Sequence, residues 1–248
     1  MNHDPAATPD PLIPGDGAAA EVQAPAVPAA PQLSLRRRIV RELLSWLWVI
    51  LIFLFVTGTI VQARVIPSGS MERTLLVGDH LLMSRIGYDA SLPFTQYHMR
   101  LWREPHRQQV IIFRSPNEPG LDLIKRLIGM PGDTVEIRNG VVFINGAQLS
   151  EPYRNGDPNP SDNYDATTIP QGNYFVLGDN RENSYDSRYW GFVPEANILG
   201  TPLVIYMSVD APEEAWEPGQ VRQRISAYAG ILLHPWRGVR WTRLFTVF

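Results

Sequence analysis

Read for its apolar and polar positions, the chain changes character three times. Residues 1 to about 35 are rich in Pro and Ala, with Gly and scattered Asp but almost no large apolar side chain. Such a segment buries too little surface to offset its ordering entropy, so it predicts a disordered tail. The cluster Arg36, Arg37, Arg38 and Arg41 follows, and then an uncharged stretch from Leu43 to Ala63. A helix over it, rising about 1.5 Å per residue, spans about 30 Å, the hydrocarbon thickness of a bilayer. Residues 36–63 therefore predict a basic flank and one transmembrane helix. A cleaved export signal is the competing reading, because Val61-Gln62-Ala63 meets its small-residue rule. The apolar region of such a signal runs only about 7–15 residues, so the longer run here favours a retained anchor. Arginines ahead of the span favour a cytoplasmic N-terminus, with residues 64–248 on the outer face. The later apolar segment Ala227 to Leu233 is too short to span.

Beyond the span the pattern turns to short runs. Val110–Phe113, Leu123–Ile128, Thr134–Ile137, Val141–Ile144, Tyr174–Leu177 and Leu203–Met207 are β-branched, aromatic or aliphatic and are bounded by Gly, Pro, Asn and Asp, which predicts strands. Asn139-Gly140 stands between two of these runs and Asn145-Gly146 follows the second, and Asn-Gly accepts the positive φ angles of tight hairpin turns. The exported part is thus expected to be mainly β. The polar, Pro/Asn/Asp-rich stretch Glu151–Gln171 is expected to be a surface loop that carries no core.

Composition narrows the chemistry. With no cysteine, the chain has no disulfide, thiolate ligand or cysteine nucleophile. A formal net charge of -3, with no Lys/Arg run interleaved with aromatics, leaves no footprint for nucleic acid. The five histidines, at positions 3, 80, 98, 106 and 234, have no metal-ligand spacing, so no metal is expected.

Three places carry candidate chemistry. Pro67-Ser68-Gly69-Ser70-Met71 is a sharp-turn composition with two hydroxyls; a serine in such a turn more often satisfies local backbone groups, and as a nucleophile it needs a base. No histidine has the context of a catalytic partner. Lys125 is the sole lysine among 22 basic residues and lies inside Leu123-Ile124-Lys125-Arg126-Leu127-Ile128. Arginine cannot give up its proton at working pH, whereas an amine desolvated by apolar neighbours can. The bland alternative is a strand lysine with its stem on apolar surface and its head in water. Gly178 to Gly191 is a dense polar loop after an apolar strand, in which Asp179, Asp186, Arg181 and Arg188 can pair and hold it rigid. Arg181 occupies a position that a calcium loop would give to oxygen.

PSGSM followed by Thr74-Leu75-Leu76-Val77-Gly78-Asp79, IKRLIGMPGD at 124–133 and GDNRENSYDSRYWGFVP at 178–194, with GVRWTR nearer the end, resemble bacterial type I signal peptidase, also called leader peptidase. The resemblance covers about residues 40 to 210. It implies a membrane-anchored, mainly antiparallel β catalytic domain with a smaller inserted β region, about residues 138–175, and an apolar face that approaches the membrane. It implies that Ser70 is the nucleophile and Lys125 its general base. Ser68 would supply an oxyanion-hole hydroxyl, and Ser184 would hydrogen-bond and orient the lysine. Asp179 with Arg126, and Asp186 with Arg188, would brace the site. Ile66, Met71, Leu76 and Ile124 would line shallow apolar pockets that admit small side chains, hence cleavage after Ala-x-Ala. The implied partners are signal peptides of exported preproteins, the lipid bilayer of the bacterial cytoplasmic membrane and, in passing, the secretion translocon, with no cofactor. One position departs from the pattern: Arg73 stands where the family usually has proline. A self-cleaving Ser/Lys protease of the repressor type is the nearest rival in mechanism, and an inactive membrane-bound β scaffold is the rival from another class.

Overall fold

The computed structural model describes residues 34–88, 90–91, 98–99, 104–216 and 219–248. The Pro/Ala tail therefore lies outside the described residues but for its last few. By internal contacts the chain separates into residues 1–45 and 46–248. Helix α1, Leu35–Phe55, continues as one π-helical turn over Val56–Ile60. The 26 residues Leu35–Ile60 are long and apolar enough to cross a membrane, at about 39 Å by helical rise. The expected helix to Ala63 stops earlier. Val61–Val65 is strand β1, and its backbone pairs antiparallel with β2, Asp79–Ser84, from Val61 opposite Ser84 to Val65 opposite His80. The ladder with β2 takes these residues out of the helix.

The remaining strands are β3 (Ala90–Ser91), β4 (His98–Met99), β5 (Val110–Arg114), β6 (Asp122–Gly129), β7 (Thr134–Arg138), β8 (Val141–Ile144), β9 (Ala147–Gln148), β10 (Tyr164–Thr168), β11 (Asn173–Leu177), β12 (Val193–Pro194) and β13 (Ile198–Ser208). Among the described residues they form a seven-stranded sheet, β1-β2-β13-β5-β6-β11-β12, a four-stranded sheet, β10-β7-β8-β9, and the pair β3-β4, all with antiparallel neighbours. The fold is mainly antiparallel β, as the pattern of runs predicts. Among the described residues three further α-helices, α2 (Ser187–Trp190), α3 (Val221–Leu233) and α4 (Pro235–Gly238), accompany short 3-10 turns.

The continuous apolar runs have a reason. On β5, Val110 and Ile112 enter one core cluster with Ile66, Met71, Leu75 and Ile124, while Ile111 and Phe113 enter another with Leu127 and Val176. Successive side chains point to opposite faces of a strand, so a strand buried on both faces shows no polar alternation. The smaller sheet packs its own cluster, Val135, Ile137, Val142 and Ile144, against Phe175, Leu177 and Ile169.

Two expectations about the excursion change here. The second sheet starts at Thr134 rather than near residue 138. The stretch Glu151–Gln171 is not all loop: β10 pairs with β7, Ile169 just after it is 1% exposed, and Tyr153 and Tyr164 pack on the same cluster. Its polar composition hid a strand whose exposed side chains face water at a sheet edge.

Candidate active site

The turn after β1 is held from both sides. Ile66 N–H donates to Asp79 O, and Gly78 N–H donates to Ile66 O, both at 2.9 Å. Beyond this clamp Gly69–Met71 forms a single 3-10 turn with all three residues buried. Ser70 is only 6% exposed, and its carbonyl accepts Asn180 N–H at 3.1 Å from the polar loop after β11. Thus the loop at 178–184 straps down the turn that carries Ser70.

Lys125 reaches the same place from β6. Alternation puts it on the face of Leu123 and Leu127, with Ile111 of β5 directly across the ladder. The residue is buried, 3% exposed, and Nζ lies 2.6 Å from Ser70 Oγ as the donor in their hydrogen bond. Burial is the largest influence on this amine and lowers its pKa from 10.5 to about 8. Asp186 acts against that fall, Arg188 adds to it, and Asp179 opposes it more weakly. An amine with this pKa is neutral in a useful fraction of molecules near pH 8, and in that form it can take a hydroxyl proton. Ser68, exposed, places its Oγ 3.5 Å from Ser70 Oγ.

Two fully buried carboxylates organise the surroundings. Asp179 receives both arms of Arg126, Nε at 2.8 Å and Nη2 at 2.6 Å, and also the Thr74 hydroxyl. Leu177 sits opposite Arg126 in the ladder, so β11 delivers Asp179 to that arginine. The Arg126 guanidinium lies 3.9 Å over the Tyr153 ring. Asp186 is held by Arg188, Nε at 2.9 Å and Nη2 at 3.0 Å, and by Gly178 N–H at 3.0 Å. These are charge-assisted bonds with the carboxylate lone pairs well used, the arrangement that makes buried charge tolerable.

The structure redraws three expected roles. Ser184 does not donate to the lysine; its hydroxyl donates to Asp186 Oδ2 at 2.7 Å. Asp186 is two residues away and fully buried, so it captures the hydroxyl, and Asp186 in turn acts electrostatically on Lys125. Arg181 pairs with Glu151, outside its own loop. Of the four expected pocket residues, Ile66 (2% exposed), Met71 (0%) and Ile124 (9%) belong to a core cluster, and Leu76 is half-buried. None lines the cavity that opens on Ser70 and Lys125. That cavity, about 280 Å³, is lined by Leu121, Leu123, Tyr185 and Trp190 on its apolar side and by Ser68, Ser115, Asn117, Glu118, Asn183 and Glu213 on its polar side. The residues on either side of Ile124, Leu123 and Lys125 on the opposite face of β6, line it. A larger cavity of about 750 Å³ lies between the Glu213–Trp216 turn and helices α3 and α4, but no hydrogen bond joins its Ser226 to its His234.

Two residues that support the candidate site are given no role from the sequence. Gly178 is one: a Cβ there would stand 2.2 Å from Ser184 Oγ and 2.6 Å from Ser70 O. Asp79 is another, fully buried and held by Arg243 at 2.6 Å, Ser208 at 2.6 Å and Leu76 N–H at 2.8 Å. Gly178 opens the third motif and Arg243 ends GVRWTR, so both were visible as letters, without a partner.

Compared with known proteins, residues 39–207 match the family model of signal peptidase, peptidase S26. A probable signal peptidase I-2 from Synechocystis is 39% identical over 171 residues, covering 64% of this chain and 72% of that protein. Signal peptidase I from Pseudomonas fluorescens is 33% identical over 206 residues, covering 68% and 72%. Signal peptidase I from Aquifex aeolicus is 35% identical over 259 residues, covering 79% and 94%.

Proposed function

This chain belongs to the signal peptidase family, peptidase S26, and on that premise we propose that it removes N-terminal signal peptides from exported preproteins with Ser70 as nucleophile and Lys125 as general base. The observation that carries this reading is the 2.6 Å contact between the buried amine of Lys125 and Ser70 Oγ at the wall of a peptide-sized cavity.

In this mechanism neutral Lys125 accepts the Ser70 proton as Oγ attacks the scissile carbonyl, then returns it to the departing amine. The acyl group left on Ser70 is hydrolysed by a water that Lys125 deprotonates in turn. The Ser68 hydroxyl, with the Ser70 N–H, donates to the oxyanion; loss of one such donor lowers the rate by about 10²–10³. Asp179 and Asp186, tied to Arg126 and Arg188, hold the loop that fixes the Ser70 turn. A cavity of about 280 Å³ leaves room for small side chains beside the scissile bond, in keeping with cleavage after Ala-x-Ala.

The anchor is α1 with its π-helical turn, which fits a single pass through the bilayer. The four arginines at its start favour an N-terminus in the cytoplasm and a catalytic unit on the outer face of the bacterial cytoplasmic membrane. Preproteins leaving the translocon on that face would meet the site, so transient contact with the translocon belongs to the same proposal. The chain has no cysteine, so Ser34→Cys and Ala166→Cys give single labelling sites. In intact cells a membrane-impermeant maleimide should label only the second; labelling of the first instead would reverse the orientation.

The decisive assay is cleavage of a synthetic precursor with an Ala-x-Ala site by the detergent-solubilised full chain. Ser70→Ala and Lys125→Ala should each lower the rate by at least about a thousandfold while leaving thermal unfolding cooperative. Cleavage retained by Ser70→Ala would exclude the assigned nucleophile.

A further inference from the structure

The cavity beside Ser70 is lined by two carboxylates that the mechanism does not use. Glu213 arrives from the 3-10 turn Glu213–Trp216 that follows β13. That turn is pinned by Ala215 and Trp216, 4% and 5% exposed, which pack with Val209. Glu213 itself is exposed, and its Oε1 accepts Gly69 N–H at 3.3 Å. The backbone it touches is one residue before the nucleophile. Glu118 lines the same cavity from the connection between β5 and β6. The one cationic side chain among the lining residues is Lys125, which the reaction needs uncharged, and no arginine lines the cavity. A peptide engaged with Ser70 therefore lies in a negatively charged cleft.

We propose that Glu213, supported by Glu118, selects substrates by charge, favouring a cationic side chain on the precursor next to the scissile bond and disfavouring an acidic one. This rests on the assignment of Ser70 as the nucleophile. An extended peptide advances about 3.3 Å per residue with side chains alternating, so the residue between the two alanines and the first residue after the cut share the face opposite the alanines, and the proposal puts Glu213 on that face. Partly exposed ion pairs of this kind change a rate by up to about fivefold, and the effect weakens as salt shortens the Debye length from about 10 Å at 0.1 M to about 3 Å at 1 M.

The test uses the full chain in detergent and Ala-x-Ala precursor peptides carrying Lys, Gln or Glu at one of those two positions. For at least one position the Lys peptide should exceed the Glu peptide in kcat/KM by about three- to fivefold at low salt. The ratio should narrow in high salt and narrow to below about twofold in Glu213→Gln. Reading a ratio cancels any general change in rate in the variant. If Glu213→Gln does not fold, Glu118→Gln is expected to narrow the ratio in the same way. A Lys/Glu ratio near one at both positions, or one unchanged in both variants, overturns the proposal while leaving the nucleophile intact. A Gln peptide that wild type cannot cut, or that Ser70→Ala cuts equally well, overturns both.

Discussion

Lys125 stands at 3% exposure among aliphatic neighbours, and the sign of its pKa shift makes two predictions. Only the neutral amine can act as a base, so kcat/KM should climb about tenfold per pH unit below pH 8 and level off above it. A profile flat from pH 6 to 10 would contradict the assigned base. Lys125→Arg keeps the charge but cannot lose its proton, and it should be inactive at every pH. Stability should rise with pH as well, but over a higher window. The native amine titrates at about 8 and the unfolded one near 10.5, so the native state binds fewer protons between those values and gains stability as pH rises through them. Below pH 8 the native state carries the full penalty of a buried charge. Lys125→Met should therefore be inactive yet more stable at pH 7, by up to about 3 kcal/mol, with no advantage above pH 10.5. Denaturant melts at pH 7 and pH 10.5 measure this. Lys125 stood out in the sequence because a single lysine among arginines, inside an apolar run, is a chemical contrast, and the fold buries it beside Ser70 Oγ. The partner of Ser184 was not, since a hydroxyl takes whichever acceptor the loop closes around it, here Asp186.

Among the elements, the 178–184 loop and the turn it straps meet with no room to spare. Gly178→Ala would drive a Cβ into Ser184 and the Ser70 carbonyl, and overpacking of this kind costs about 1–3 kcal/mol. The larger effect should be on rate: displacing Ser70 from Lys125 by even part of an ångström should lower kcat by about tenfold or more, with KM changed less. An Ala variant as fast as wild type would show that the loop yields. Arg73 has φ of 83°, in the left-handed region, and its guanidinium donates to Arg154 O at 2.7 Å. Proline fixes φ near -65°, so the residue usual in this family cannot sit in the turn as this chain forms it. Arg73→Pro should destabilise by at least about 2 kcal/mol, whereas Arg73→Gly should be neutral or stabilising by up to about 1 kcal/mol; thermal melts of both variants check the order. Hairpin chemistry was readable from two letters: Asn139-Gly140 and Asn145-Gly146 all take positive φ, as their composition predicts. Strand β10 was not, because a half-exposed edge strand of Asp, Ala and Thr has no apolar alternation to betray it.

At the scale of the whole molecule, Arg243 reaches across more than a hundred and sixty residues of sequence to the buried Asp79. Removing it in Arg243→Ala would leave Asp79 with Ser208 and Leu76 N–H but no countercharge, which should lower stability by about 3 kcal/mol. A melting temperature unchanged by the substitution would show the pair to be dispensable. Asp79 also clamps the start of the Ser70 turn through Ile66, so activity should fall with temperature sooner in this variant than in wild type. Local chemistry in the sequence dictated an apolar helix long enough to cross a bilayer, strands set by β-branched runs between turn residues, and the contrast of one lysine inside an apolar run. Tertiary structure alone decided which face of β6 meets the cavity, so that Leu123 lines it and Ile124 is core, and which carboxylate claims Ser184. It also decided that Glu213 would stand beside Ser70. The physical reason is the same in each case: register and loop closure are settled by packing between segments distant in sequence, and no local pattern encodes the partner that a side chain will meet there.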